Sequence, residues 1–258
     1  MDKPVILICN DDGYFAAGLQ CLREALAPLG RVIVVAPNQD CSGSSHKITI
    51  NTALRLREVA EDFFTTNGSP VDCVHLAIHG VLAGKRPDLL FSGINHGLNL
   101  GEDTAYSGTV AAAYEGFVHR IPALAISTGP IDGVYGFENA SRVARALAAK
   151  MLAGEENLRE ALWNVNVPGG DLNGVRFVRL DKRSFKSSVV QQVDPRGQPY
   201  YWLGPYYPRF DNQEDTDYAA YQSGYVAITP LRVEMTDFQM LSRYTKQDHP
   251  FHEILDLP

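Results

Sequence analysis

Hydrophobic positions along the first two thirds of the chain switch repeatedly between strand and helix periods. Val5–Cys9 is a short continuous apolar run, ended abruptly by Asn10-Asp11-Asp12-Gly13, and reads as a buried strand. Leu19, Leu22, Ala25, Leu26 and Leu29 then recur at helical spacing, with Pro28 and Gly30 closing the segment. Residues 32–36 form a β-branched strand stopped by Pro37, which completes a strand-helix-strand unit. Residues 48–56 alternate weakly, and Phe63-Phe64 lies in another short extended piece. Gly68-Ser69-Pro70 opens a helical pattern over 71–78, and residues 88–91 predict a strand that runs into the loop 92–101. An alanine-rich helix follows Tyr106, with Ser107 or Thr109 as its cap. A strand over 123–127 and a helix over 143–152 continue the rhythm. This pattern predicts an α/β protein with a mostly parallel sheet.

The last third changes character. Strands are expected over 163–167, 175–180 and 225–229, while residues 189–217 are crowded with Gln, Tyr, Pro and Asp and suggest a projecting hairpin or a partner-binding arm. The expected organisation is a core over 1–180 and an extension over 181–258, with a hairpin, a strand returning to the core and a tail that packs on a neighbouring subunit.

In parallel α/β sheets, ligands gather at the C-terminal ends of strands, where Asp11 and Asp12 fall. The polar loop 38–47, holding Ser42, and the loop holding Asn95 follow later strands and face the same edge. An acidic pair after a strand is also an ordinary turn; convergence with neutral oxygen donors makes it a metal cradle suited to Mg²⁺, Mn²⁺ or Ca²⁺. Ser107-Gly108-Thr109 places hydroxyls and a close-approach glycine at a helix N-terminus, where exposed amides bind anions such as phosphate.

Composition narrows the classes. The 258 residues carry a net charge of −7, with an isoelectric point near 5.5, which argues against a nucleic-acid polymer as partner. No apolar run approaches a membrane span. Met1-Asp2-Lys3 leads directly into the first strand without a signal-peptide pattern, so a cytoplasmic protein is expected. Cys9, Cys21, Cys41 and Cys73 form no CxxC pair and are expected as free thiols. Neither a G-x-x-x-x-G-K-[ST] loop nor a dinucleotide fingerprint is present. His75 and His79 stand four apart on a helical stretch, but Leu76 occupies the glutamate position of H-E-x-x-H, so they are expected as ordinary surface or core histidines. The basic run Lys182, Arg183, Lys186 is expected to be solvated, and Tyr200, Tyr201, Trp202, Tyr206 and Tyr207 to pack between subunits.

Together these blocks resemble the SurE family, stationary-phase survival proteins that act as metal-dependent nucleoside monophosphate phosphatases. The resemblance rests on Asn10-Asp11-Asp12-Gly13, Val35-Ala36-Pro37 leading to Ser42-Gly43, Gly68-Ser69-Pro70-Val71-Asp72-Cys73-Val74, Ser92-Gly93-Ile94-Asn95-His96-Gly97, and Tyr106-Ser107-Gly108-Thr109-Val110 through Glu115-Gly116. Asn164-Val165-Asn166-Val167-Pro168 and Gly224-Tyr225-Val226-Ala227-Ile228-Thr229-Pro230-Leu231 extend it. Ala17 and Ser69 depart from a proline and a threonine common in that family.

The resemblance implies a Rossmann-like core and one divalent metal per subunit held by Asp11, Asp12, Ser42 and Asn95. It also implies phosphate recognition around Asn99, Ser107, Gly108 and Thr109, and a homodimer or homotetramer built through C-terminal elements. The expected reaction is hydrolysis of nucleoside 5′-monophosphates, with 3′-monophosphates and short polyphosphate as further candidates. Asp11 and Asp12 are the catalytic pair, one of them handling the attacking water. Two other classes remain: a noncatalytic nucleotide sensor and a phosphoacceptor receiver domain, the latter requiring an Asp where Phe91-Ser92-Gly93 stands.

Overall fold

The computed structural model describes residues 3–184, 189–203 and 209–245. Chain order gives strands β1 (Val5–Cys9), β2 (Arg31–Pro37), β3 (Leu56–Ala60), β4 (Phe63–Thr66), β5 (Leu89–His96), β6 (Ala123–Thr128), β7 (Leu162–Val167), β8 (Gly174–Phe177), β9 (Arg183–Ser184), β10 (Val189–Val193), β11 (Pro199–Leu203), β12 (Arg209–Phe210) and β13 (Tyr225–Leu231). The helices are α1 (Ala17–Leu26), α2 (Pro70–His75), α3 (Gly108–Val118), α4 (Glu138–Leu152), α5 (Glu156–Arg159), α6 (Asp217–Gln222) and α7 (Phe238–Tyr244).

Nine strands form one sheet in the order β3-β4-β2-β1-β5-β6-β7-β13-β8. The run from β4 through β7 is parallel. Strand β1 is covered on both faces, which explains its unbroken apolar sequence. Ile6 and Ile8 join a cluster with Leu19, Leu22 and Leu26 of α1 and Ala140, Ala144 and Ala148 of α4. Leu7 and Cys9 point the other way, into a cluster with Cys73 and Val74 of α2 and Val110, Ala112 and Ala113 of α3.

The path of the chain locates a site. From β1 it moves outward to β2 and β4, then returns to β5 on the opposite flank of β1. That reversal opens a crevice beyond the C-terminal ends of β1 and β5. Asp11 and Asp12 leave β1 there, and Asn95 lies at the end of β5.

Several boundaries differ from the sequence expectations. Regular pairing in the 48–56 region starts only at Leu56, and Ile48 and Ile50 are exposed, because β3 is the outer arm of a tight hairpin with β4. Strand β5 runs on to His96, so the first half of the expected loop 92–101 belongs to the sheet. Its pairing with β6 shifts between Ser92 and Asn95. Gly93 makes this possible: its φ is +133°, and a Cβ there would lie 2.2 Å from the Ile126 carbonyl oxygen. Ser107, rather than Thr109, caps α3, its Oγ accepting from the Val110 amide at 3.0 Å.

In the last third, β10 and β11 form the expected antiparallel hairpin. Tyr201 and Trp202 on it are exposed. Strand β13 enters the main sheet between β7 and β8, antiparallel to β7. The four cysteines are free, and among the described residues no helix is long and apolar enough to cross a membrane. Lys186, Tyr206, Tyr207 and residues 246–258 lie outside the described residues.

Candidate active site

The turn after β1 is shaped by Asn10, whose buried amide donates to the Gly13 carbonyl at 2.9 Å. It is fastened to the neighbouring strand by the Tyr14 amide on Pro37 O (2.9 Å) and to the 38–47 loop by the Cys41 amide on Asp11 O (2.8 Å).

Asp11 is buried, and Thr109 holds both of its carboxylate oxygens. The Thr109 amide donates to Oδ2 at 3.0 Å and the Thr109 hydroxyl to Oδ1. Helix α3 therefore presents its first turn directly to the acidic pair. Gly108 permits the approach: a Cβ there would lie 2.8 Å from Ser44 Oγ and 2.9 Å from the Asp11 Cβ. Asp12 is half-buried, and its Oδ2 accepts from the His96 amide at 3.1 Å. Burial pushes the Asp11 carboxyl up to about 6, against the lowering effect of the Thr109 hydroxyl, and the charge of Asp12 adds to the rise. Burial also raises Asp12, and Asp40 contributes to that rise. Two desolvated carboxylates beside a third acid make a site that gains from a bound cation.

Asn95 commits its amide nitrogen to Gly97 O at 2.8 Å, which leaves the side-chain oxygen as the atom to offer a metal. Ser42 lies next to the Cys41 anchor, but its hydroxyl donates to Asp40 Oδ1 at 2.5 Å. Asn99 is buried further along the edge, donating to Ser127 Oγ at 2.8 Å and accepting at its carbonyl from Asn164 and Asn166. The structure thus brings Asp11, Asp12, Gly108 and Thr109 into direct contact or close approach, with Asn95 adjoining Asp12 through His96. Both Thr109 donors face Asp11, which makes Thr109 a support for the acidic pair.

Three contributors escaped the sequence reading. Asp40 orients Ser42 and acts on Asp12; an acid in a loop already suspected of joining the site was the available signal. Ser44 has a buried hydroxyl with no partner among the described residues, directed at Gly108. His96 donates its amide to Asp12 and offers ring Nε2 to the Gly18 amide at 3.3 Å, supplying a cap that Ala16 cannot give to α1. Nothing in a one-dimensional pattern pairs His96 with Gly18.

The donor set fits a hard divalent cation: two carboxylates with raised pKa and an amide oxygen. The unpartnered Ser44 hydroxyl beside the first turn of α3 fits an anion next to it. Fold and site together define an α/β protein whose buried acidic pair meets the first turn of α3 at the sheet's switch point.

Residues 6–187 match the family model described as Survival protein SurE. A 5′-nucleotidase SurE from Aquifex aeolicus (strain VF5) is 41% identical over 243 residues, covering 92% of this chain and 96% of that protein. A 5′-nucleotidase SurE from Laribacter hongkongensis (strain HLHK9) is 43% identical over 239 residues, with coverage of 92% and 96%. The crystal structure of the SurE protein from Aquifex aeolicus superimposes with a TM-score of 0.82 at 39% identity, covering 98% of this chain and 100% of that one. The chain belongs to the SurE family.

Proposed function

We propose that this chain is a 5′-nucleotidase that hydrolyses nucleoside 5′-monophosphates to nucleoside and phosphate with the help of a divalent metal. The observation that carries the reading is the clasp between Asp11 and Thr109, which sets a carboxylate cation site against the N-terminal turn of α3. The similarity to proteins named 5′-nucleotidase SurE supports the same reaction.

Asp11, Asp12 and Asn95 would hold Mg²⁺, Mn²⁺ or Ca²⁺, with Ser42, whose hydroxyl here donates to Asp40, as a further ligand. When bound, the cation neutralises phosphate charge and acidifies water. Ser44, Ser107 and the Gly108 amide receive the phosphate oxygens at the helix N-terminus. Asn99 braces that wall through Ser127. Asp12, the more accessible carboxylate, orients the attacking water and takes its proton. The water oxygen bonds to phosphorus, the P–O5′ bond breaks, and the nucleoside oxygen takes a proton from solvent, to which Asp12 then releases its own. A receiver domain is disfavoured because β5 delivers Ser92, a buried hydroxyl, where that class needs an acceptor Asp. The exposed aromatic hairpin β10–β11 is the proposed contact in a homodimer or homotetramer, and the cytoplasm the proposed compartment.

The deciding experiment measures phosphate release from a panel of nucleoside 5′- and 3′-monophosphates and short polyphosphate, with Mg²⁺ or Mn²⁺ and after chelation. Metal-dependent turnover of 5′-monophosphates, abolished by Asp12→Asn in a protein with an unchanged circular dichroism spectrum, is expected. Binding without turnover would favour a sensor. Full activity after rigorous metal removal would overturn the mechanism.

A further inference from the structure

A second group of potential ligands lies at the opposite end of α3. His75 is the last residue of α2, which continues into a π-helical turn, Leu76–Val81, that carries His79. His119 ends α3 at its C-cap. One ligand nitrogen from each of the three imidazoles can be chosen so that all lie within 4.8 Å of one another. The rings of His75 and His79 stack with centroids 6.2 Å apart, and His119 meets them edge-on at 5.2 and 5.7 Å.

Glu115, one turn before His119, reaches into this group. Its Oε1 lies 3.1 Å from His75 Nε2 and 3.2 Å from His119 Nε2. Four ligands held at zinc distances of about 2.0–2.1 Å in a tetrahedron stand about 3.3 Å apart. Two of the required edges are therefore almost in place. The other carboxylate oxygen, Oε2, accepts or shares a proton with His46 Nε2 at 2.9 Å, which fixes the carboxylate from outside.

We propose that His75, His79, His119 and Glu115 form a second cation site, of the zinc type, separate from the acidic pair. Imidazole nitrogens select a softer, borderline cation than the all-oxygen set at Asp11 and Asp12. His119 stands at the C-cap of α3, and a helix C-terminus favours a cation. His79 is exposed while His75 and His119 are half-buried, which gives the ion an entry path and a firm floor. The ten residues from Thr109 to His119 put the two sites on the order of 15 Å apart along α3. The two are joined mechanically, because His46 sits on the chain four residues beyond Ser42. Nothing in this inference requires the nucleotidase reaction.

The test uses full-length protein without a histidine tag, stripped with chelator and loaded with Zn²⁺ in excess Mg²⁺, then desalted for elemental analysis. A parallel sample takes Co²⁺ for its visible spectrum. One tightly held zinc per subunit is expected, with the intense d–d bands of a four-coordinate cobalt ion. His79→Ala and His119→Gln should lose both signals, while Asp11→Asn keeps them. His79→Ala, at an exposed position, decides the matter even if His119→Gln folds poorly. Substoichiometric zinc in the wild type, or variants that retain its zinc and its cobalt spectrum, would overturn the proposal.

Discussion

Thr109 closes on Asp11 from two directions, its hydroxyl on one carboxylate oxygen and its amide on the other. The side chain is fully buried. Thr109→Val keeps the shape and the amide bond but strips one oxygen of a buried carboxylate of its partner, a loss of about 1–3 kcal/mol. Mg²⁺ affinity should fall roughly tenfold to a hundredfold, the usual penalty for removing a group that orients a ligand. At saturating metal, KM should change little, and Thr109→Ser should restore both. A large rise in KM with unchanged metal affinity would instead place the hydroxyl on the phosphate.

Asp11 also sets a pH dependence. Its carboxyl titrates at about 6 in the folded protein, against an ordinary 3.8, because burial disfavours the charge. Between those values the folded state binds more protons than the unfolded chain, so Asp11's contribution to metal-free stability falls as pH rises. Its ionisation costs on the order of 3 kcal/mol at pH 7, and that cost disappears as pH drops toward 4. Denaturant melts of metal-free wild type and Asp11→Asn at pH 4 to 7 should show the difference between them changing with this sign. Added Mg²⁺ should stabilise the wild type far more at pH 7 than at pH 5, since proton and cation compete for one carboxylate. A pH-independent difference would mean that Asp11 is not shifted.

Much of this arrangement could be read in one dimension. The apolar run Ile6 to Cys9 announced a strand buried on both faces, and Asp11 and Asp12 had to emerge at its end. What periodicity could not supply was the neighbour relation between distant elements. That β5 returns beside β1, while β13 inserts between β7 and β8, is settled by packing across the whole sheet. The same limit explains the misread 48–56 segment: Ile48 and Ile50 alternate as strand residues do, yet lie exposed ahead of the pairing that begins at Leu56. Ser42 was legible as part of the polar loop after β2, but the direction of its hydroxyl depends on Asp40, two residues away. His75 and His79 were legible as two histidines four apart, but that His119 and Glu115 of α3 lie against them depends on the packing of α2 on α3.

Helix α1 touches the site through backbone alone at Gly18. A Cβ there would lie 2.1 Å from the Ile94 carbonyl oxygen and 3.0 Å from a Phe137 ring carbon. Gly18→Ala must therefore push α1 away from β5, at roughly 1–3 kcal/mol for overpacking. Because Asn95 follows Ile94, and His96 holds Asp12, metal affinity should fall with stability. Gly80→Ala is the control, since its new methyl would meet nothing nearer than Leu56 Cδ2 at 3.8 Å. Equal melting temperatures for the two variants would refute this packing account.

The entrance to the same helix carries a position where stability has been left unused. Ala17 is exposed and is the first residue of α1, and its amide donates to none of the described residues. Proline suits a helix's first position, where its missing N–H costs nothing and its ring fixes φ near the helical value. The residue before a proline must be extended, and Ala16 already is, at φ −59° and ψ 133°. Ala17→Pro should therefore act mainly by restricting the unfolded chain, adding about 0.4–1 kcal/mol. Denaturant midpoints would rise with no change in the slope of unfolding, while metal affinity and turnover stay at wild-type levels because the Gly18 amide and its His96 partner are untouched. A lower midpoint would show that the turn from Gly13 into α1 needs the freedom that alanine leaves it.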